Sequence, residues 1–234
     1  MTDLRGDAHR QYIRRMFGRI AERYDLLNRI MTFGRDRHWR RQLVSQLHLQ
    51  AGERIIDLGT GTGDLALDIL QQQPNALVIA ADLTPEMVHI GRSRPGSAHV
   101  RWVIADADHL PFKTSSFDAL ISGFLLRNLG ELPRSLVEQR RVLRTEGRWA
   151  ALDTTPPANN ILKPFINLYL NTVIPIAGSL LTGDRDAYRY LPASTQAFLP
   201  PAAMLAALSR AGFQQPAFSL RMLGTIALYT ARKA

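Results

Sequence analysis

Apolar residues recur at helical spacing between residues 12 and 24, at Ile13, Phe17, Ile20, Ala21 and Tyr24, with arginines between them. That spacing predicts an amphipathic helix with a basic outer face, able to lie on another surface. From Arg54 onward the pattern changes. The short apolar runs RIIDLG, ALVIAAD and VRWVIAD alternate with helical stretches that begin at Asp64 and Pro85. FDALISGF (117–124) reads as a fourth strand, 132–144 as a helix, and GRWAALD (147–153) as a fifth strand. This alternation implies a parallel sheet. After a helix near 200–211, QQPAFSLRML and GTIALYTARK read as a closing antiparallel pair. Residues 161–181 are apolar with one charge, but Pro164, Asn167, Asn171 and Pro175 would each be costly inside a bilayer. That segment predicts a broken helical cap packed on the sheet, not a membrane span.

A length of 234 residues with 46% hydrophobic content suits one α/β domain plus an appended segment. Cysteine is absent, which excludes disulfides, thiolate zinc sites and any cysteine nucleophile. The six histidines show no ligand spacing, so no metal is expected. The N-terminus mixes arginine with apolar residues and does not read as a cleaved signal; the expected compartment is the cytoplasm. Charge is unevenly distributed. Between Arg10 and Arg41 ten arginines face three acids, an end that should seek anionic surfaces. Between Asp57 and Asp108 seven acids face three arginines, a stretch that should tolerate a cation.

The segment Asp57-Leu58-Gly59-Thr60-Gly61-Thr62-Gly63-Asp64 falls where a strand ends and a helix begins. Glycines there let a ligand approach the backbone. The dinucleotide pattern G-x-G-x-x-G fails, because Asp64 stands where the third glycine belongs, at a helix N-terminus that a pyrophosphate would need bare. S-adenosylmethionine (SAM) has no phosphate and carries a sulfonium, so Asp57 and Asp64 can favour it electrostatically. Asp82 ends the second strand about twenty residues beyond the glycines, the spacing at which an acid accepts hydrogen bonds from ribose hydroxyls. Asp106 and Ala107 follow the third strand and could receive the adenine edge. Together these residues point to SAM as cofactor. A single Asp alone would read as a cap or turn residue.

With those residues in hand, the chain resembles the ubiquinone/menaquinone biosynthesis C-methyltransferase family over nearly its whole length. MFGRIAERYDLLNRIMTFGRDRHWR (16–40) is similar to that family's F-x-x-I-A-x-x-Y-D-x-x-N signature with a downstream G-x-x-x-x-W-R. DADHLPFKTSSFD (106–118), LRNLGELPRSLVEQRRVLRTEGR (126–148) and AYRYLPASTQAF (187–198) match later family segments. The resemblance implies a class I SAM-dependent methyltransferase: a Rossmann-like α/β fold with a mostly parallel seven-stranded sheet and an antiparallel last strand. Residues 1–50 would form a helical region over the substrate site, 51–234 the methyltransferase domain, and 157–199 a cap insertion. It further implies that Thr62, Asp82, Leu83, Asp106 and Ala107, with the glycines 59, 61 and 63, contact SAM, and that Tyr24, Asp25, Asn28, Arg127 and Asn128 surround a quinol ring. Gly123 stands where some members have serine near the cofactor, Leu125 replaces a usual glycine, and Asp153-Thr154-Thr155-Pro156-Pro157 replaces an E-F-S-K-P segment.

The chemistry expected is methylation of a ring carbon ortho to a hydroxyl in a reduced isoprenoid quinol. That carbon becomes nucleophilic as the hydroxyl loses its proton, so no thiolate is required. Arg127 is expected to stabilise the phenolate, Asn128 to orient the oxygen, and Tyr24 and Asn28, four apart on one helical face, to close the ring pocket. A bilayer-stored substrate implies transient contact with an anionic membrane surface. No nucleic acid is expected as partner, and a homodimer is compatible with the sequence. The competing readings are a SAM methyltransferase of another small phenol or RNA, and a SAM-binding accessory subunit without catalysis.

Overall fold

Every strand expected between residues 54 and 233 forms in the computed structural model, which describes residues 6–157, 161, 163–169, 172 and 185–234. They are β1 (Arg54–Leu58), β2 (Leu77–Asp82), β3 (Val100–Ile104), β4 (Phe117–Gly123), β5 (Leu143–Thr154), β6 (Phe213–Arg221) and β7 (Ile226–Lys233). They build one sheet in the order β3-β2-β1-β4-β5-β7-β6. All pairs from β3 to β5 are parallel, and β7 runs antiparallel to both β5 and β6. The order reverses between β1 and β4, so a ligand crevice is expected at their carboxyl ends. β5 starts at Leu143 instead of Gly147, because a register shift against β4 and a left-handed Glu146 let four more residues join it.

The helices are α1 (Gly6–Met31), α2 (Asp36–Gln46), α3 (Asp64–Gln72), α4 (Pro85–Arg92), α5 (Leu132–Val142), α6 (Lys163–Leu168), α7 (Arg185–Ala197) and α8 (Pro201–Arg210). Because the sheet is covered on both faces, its inner strands are apolar without alternation. Ile56 and Trp149 join a core with Leu136, Met204 and Tyr229, while the neighbouring Ile55 and Ala150 join the opposite core with Leu43, Ile69 and Leu152. The expected cap over 161–181 lies partly outside the described residues; α6 is its helical portion within them. Among the described residues no helix is long and apolar enough to cross a membrane.

α1 differs from expectation in length and in use. It extends six residues before Tyr12 through a polar first turn, where Arg10 pairs with Asp7. Its apolar face of Ile13, Met16, Phe17 and Ile20 is buried against Met87 of α4 and Tyr190 and Leu191 of α7. That face is therefore part of the protein's own core and does not lie on a second surface, as the sequence had suggested.

One backbone position sets the entry into α3. Gly63 has φ +89°, and a Cβ there would meet the Trp102 ring at 2.4 Å. Gly63→Ala should lower unfolding stability by at least the roughly 1–2 kcal/mol of a left-handed non-glycine residue. Urea denaturation measures it, and a loss below about 0.5 kcal/mol, within the range of neutral surface changes, would contradict this packing.

Candidate active site

The glycine loop is held from beneath. Asp57, at the end of β1, is fully buried, and its Oδ2 accepts hydrogen bonds from Thr60 Oγ1 at 2.5 Å and from the Ala66 amide at 3.0 Å. It thereby ties the strand end to the first turn of α3. Burial pushes its pKa up to about 7 against those two hydrogen bonds. Asp57 does not line the ligand cleft, so the expected direct attraction to a sulfonium is corrected: its work is to shape the loop. Gly59 has φ +66°, and a Cβ there would stand 2.7 Å from Leu125 Cδ1. The departure at position 125 thus fills space that only a glycine at 59 leaves open.

A cleft of about 110 Å³ opens above this loop. Gly59, Gly61, Thr62, Asp82, Leu83, Asp106, Ala107 and Gly123 all line it. Gly63 does not; it sits under Trp102. Asp82 accepts the Gly61 amide at 2.7 Å and the Thr84 amide at 2.8 Å, and burial raises its pKa. A partner that donates to its remaining lone pairs, such as a ribose diol, would offset that burial. The loop amides are already engaged: Gly59 and Thr60 donate to the Ala81 carbonyl, Gly61 to Asp82, and Gly63 to Thr60. Such a loop has little left to offer a pyrophosphate, but it fits an adenosine without one.

Arginines match most of the other acids. Asp64 pairs with Arg40 and Arg94, both at 2.7 Å, and its pKa lies below the usual carboxylate range because these cations outweigh its burial. Arg40 is itself buried and also binds Asp36 at 2.5 Å. Arg10 reaches from α1 to Asp108 at 2.9 Å and Asp106 at 3.2 Å, fastening the helix across the cleft. Arg10 and Arg40 of the basic N-terminal segment therefore pair with acids of the central stretch inside the fold. Asp64 is thus not the unopposed negative charge that the sequence suggested.

A second chamber, of about 270 Å³, lies beside the first and is lined mainly by apolar groups, among them Met31, Phe165, Leu191 and Ile226. Arg127 forms part of its wall and makes a buried ion pair with Asp153 at the end of β5. The Arg127 amide also donates to Asp153 Oδ2 at 3.2 Å. Asp153, met in the sequence only as part of a departure from the family segment, is thus what positions Arg127. Arg127 Nε, a buried donor of a residue on this wall, has no hydrogen-bond partner among the described residues, while Asn28 beside it hydrogen-bonds Tyr24. Unpaired buried donors are costly, and they mark where an acceptor oxygen would bind.

The five residues expected around one ring divide between the two spaces. Asn28 and Arg127 line the apolar chamber, whereas Tyr24, Asp25 and Asn128 line the cleft. Asp25 accepts one hydrogen bond from the Thr62 hydroxyl, shared between its two oxygens at 2.7 and 2.8 Å, so it braces the glycine loop. Tyr24 is buried, which raises its pKa against the nearby Arg127 charge. The Asn128 amide is engaged at both ends: Nδ2 donates to the Phe124 carbonyl at 2.8 Å, and Oδ1 accepts from Tyr190 at 3.1 Å. Sequence reasoning missed Arg10, Arg40, Phe124 and Asp153. Only Arg40 left a signal, as the final residue of the G-x-x-x-x-W-R segment.

A doubly wound sheet in this order, with a glycine loop closed on its own carboxylates at the switch point, defines a class I SAM-dependent methyltransferase. Solved structures carry the same fold: a SAM-dependent methyltransferase from Aquifex aeolicus superposes with TM-score 0.61 at 15% identity, over 83% of this chain and 89% of that one. Another from Thermotoga maritima gives 0.66 at 18% identity, over 95% and 100%. The model of the ubiE/COQ5 methyltransferase family matches residues 5–233, and the chain belongs to that family. The ubiquinone/menaquinone biosynthesis C-methyltransferase of Desulfotalea psychrophila is 40% identical over 218 residues, covering 93% of this chain and 88% of that protein. The demethylmenaquinone methyltransferase of Thermus thermophilus is 42% identical over 200 residues, covering 85% and 91%.

The raised pKa of Asp57 sets a pH dependence. Between the unfolded value of 3.8 and the folded value of about 7 the native state holds a proton that the unfolded chain has released, so stability falls as pH rises through that window. Asp57→Asn cannot ionise and should show a shallower fall between about pH 4 and pH 7 in urea titrations. Equal slopes in the two proteins would contradict the assignment.

Proposed function

We propose that this chain transfers a methyl group from SAM to a ring carbon of a demethylated isoprenoid quinol, a late step in respiratory quinone synthesis. One observation carries the reading. Arg127, whose Nε is unpartnered, and Asn28 both line a chamber that is otherwise mostly apolar, next to the cofactor cleft. An aromatic diol with a hydrocarbon tail meets both demands, since its oxygen accepts from the donors and its tail fills the apolar volume. The names of the curated relatives point to the same substrate class.

Bound SAM supplies an electrophilic methyl, whose loss to the acceptor carbon leaves a neutral thioether. The chain's residues prepare the acceptor. Arg127, held by Asp153, donates to the phenolic oxygen and stabilises the charge that develops as the hydroxyl proton leaves to water. Once the methyl has bonded to the ring carbon, the hydrogen on that carbon leaves as a proton to water and the ring regains its aromaticity. Asn28 donates to the same oxygen from α1. The guanidinium stays protonated, because the buried Asp153 carboxylate outweighs its own burial, so Arg127 acts as a fixed donor and not as a base.

The chamber's mouth carries the membrane contact. Phe33, Phe165 and Leu223 line the chamber, yet are 71%, 71% and 66% exposed; the nearby Leu168 is 60% exposed. Arg35 and Arg37, just beyond Phe33, are exposed as well. Each buried tail methylene contributes about 0.8 kcal/mol and each arginine near anionic lipid about 1 kcal/mol. This lip replaces the buried face of α1 as the region that meets the bilayer.

Two tests follow. Arg127→Lys keeps a cation beside Asp153 but loses the fixed fork; it should bind SAM within about threefold of the parent and lose about 10²–10³-fold in kcat. Loss of SAM binding, or unchanged kcat, would remove the assignment. Flotation with anionic vesicles at low salt should recover the protein, and Phe33→Asp with Leu223→Asp should lower the recovered fraction several-fold. Equal recovery of parent and double variant would defeat the proposed lip.

A further inference from the structure

Phe124 is the one described residue that lines both the cofactor cleft and the apolar chamber. Its backbone is in the left-handed region at φ +58°, which a bulky aromatic residue adopts only where its surroundings enforce it. Those surroundings are present on both sides of the residue. Its amide donates to the Leu152 carbonyl at 2.6 Å, and its carbonyl accepts from Asn128 Nδ2 at 2.8 Å. The ring is held as firmly as the backbone. The guanidinium carbons of Arg40 and Arg127 stand 5.9 and 5.4 Å from its centroid, the first from the cleft and the second from the chamber. Each guanidinium is fixed in turn by carboxylates, Arg40 by the buried Asp36 and the half-buried Asp64, and Arg127 by the buried Asp153. A residue kept at such cost to its backbone, at the boundary between donor and acceptor spaces, has a task beyond filling volume.

We propose that Phe124 is a positioning residue for methyl transfer: its clamped phenyl is the partition against which the acceptor ring packs, setting the ring's depth and tilt relative to the donor methyl. This inference rests on the quinol reading given above. It also recasts Asn128, whose amide acts on the acceptor through Phe124. Attack in line requires the reacting atoms about 3 to 3.5 Å apart, so an acceptor that sinks or tilts by an ångström loses rate more than affinity. The flanking cations favour an electron-rich ring between them, which selects an aromatic over an aliphatic side chain at this position.

The test uses the full chain with SAM and a demethylated menaquinol carrying a short isoprenoid tail. Phe124→Leu should keep its SAM Kd and its KM for the quinol within about threefold while kcat falls at least about thirtyfold, and Phe124→Tyr, which restores a ring, should recover most of that loss. Asn128→Ala should show the same split. The double variant Asn128→Ala with Phe124→Leu should be no slower than the slower single variant, as expected of two residues that act as one unit. Unchanged kcat in Phe124→Leu, or kcat losses that multiply in the double variant, would overturn the inference. Circular dichroism and the SAM titration identify a variant that has failed to fold; should Phe124→Leu do so, the comparison of Phe124→Tyr with Asn128→Ala decides, and a lost SAM site in both would likewise overturn it. If the parent enzyme leaves the quinol unmethylated, the substrate reading has failed, which is a separate outcome from a parent that is active and variants that match it.

Discussion

The side chain and backbone of Asn128 tie together three parts of the molecule. Its amide nitrogen binds the Phe124 carbonyl after β4, its amide oxygen receives the Tyr190 hydroxyl from α7, and its backbone carbonyl contacts His9 of α1. Inside a low-dielectric interior such a fully satisfied amide is strong and directional, whereas a partly satisfied one would be costly. Fixing β4's exit, α7 and α1 relative to one another fixes the wall between the two cavities. The glycine loop, the buried ion pairs and the chamber depend on that wall being in one place.

Electrostatics in this protein is arranged by pairing and not by accumulation. The sequence presents a basic end and an acidic middle, and the fold sets Arg10 and Arg40 from that end, with Arg94 from the middle itself, against Asp106, Asp108 and Asp64. Buried pairs contribute little net stability, but losing one partner would strand the other in a dry environment. Their effect here is geometric: α1 is pinned over the cleft by Arg10, and Arg40 is carried from α2 to the side of Phe124. Several buried polar atoms are without a partner among the described residues, among them Arg127 Nε on the chamber wall and Asp57 Oδ1 beneath the glycine loop.

The inner parallel strands β1 and β4 were legible because they are mostly buried and read as apolar runs, while the edge strand β3, interrupted by Arg101, was legible from its place in the alternation. The cofactor was legible because Asp57, the glycines, Asp82 and Asp106 fall at successive strand ends, and a strand end is a local feature. Long-range pairings were not legible. Nothing near Arg127 in the chain announces Asp153, which meets it from the end of the neighbouring strand, and Arg40 looked like one more cation in a basic stretch until the fold carried it inward. The apolar face of α1 was visible as a periodicity, but whether it covers the protein or a membrane is decided by Met87, Tyr190 and Leu191, which lie far along the chain. Phe124 carried no signal at all, because a left-handed backbone in an aromatic residue is enforced by partners and has no composition of its own.

Labelled methyl transfer to extracted quinones tests the central claim most directly. Purified protein incubated with methyl-labelled SAM and a reduced demethylmenaquinone should place the label on the ring carbon, with no added protein or metal, as read by mass spectrometry of the extracted product. Label found on a phenolic oxygen or in RNA, or none transferred while SAM binds normally, would contradict it.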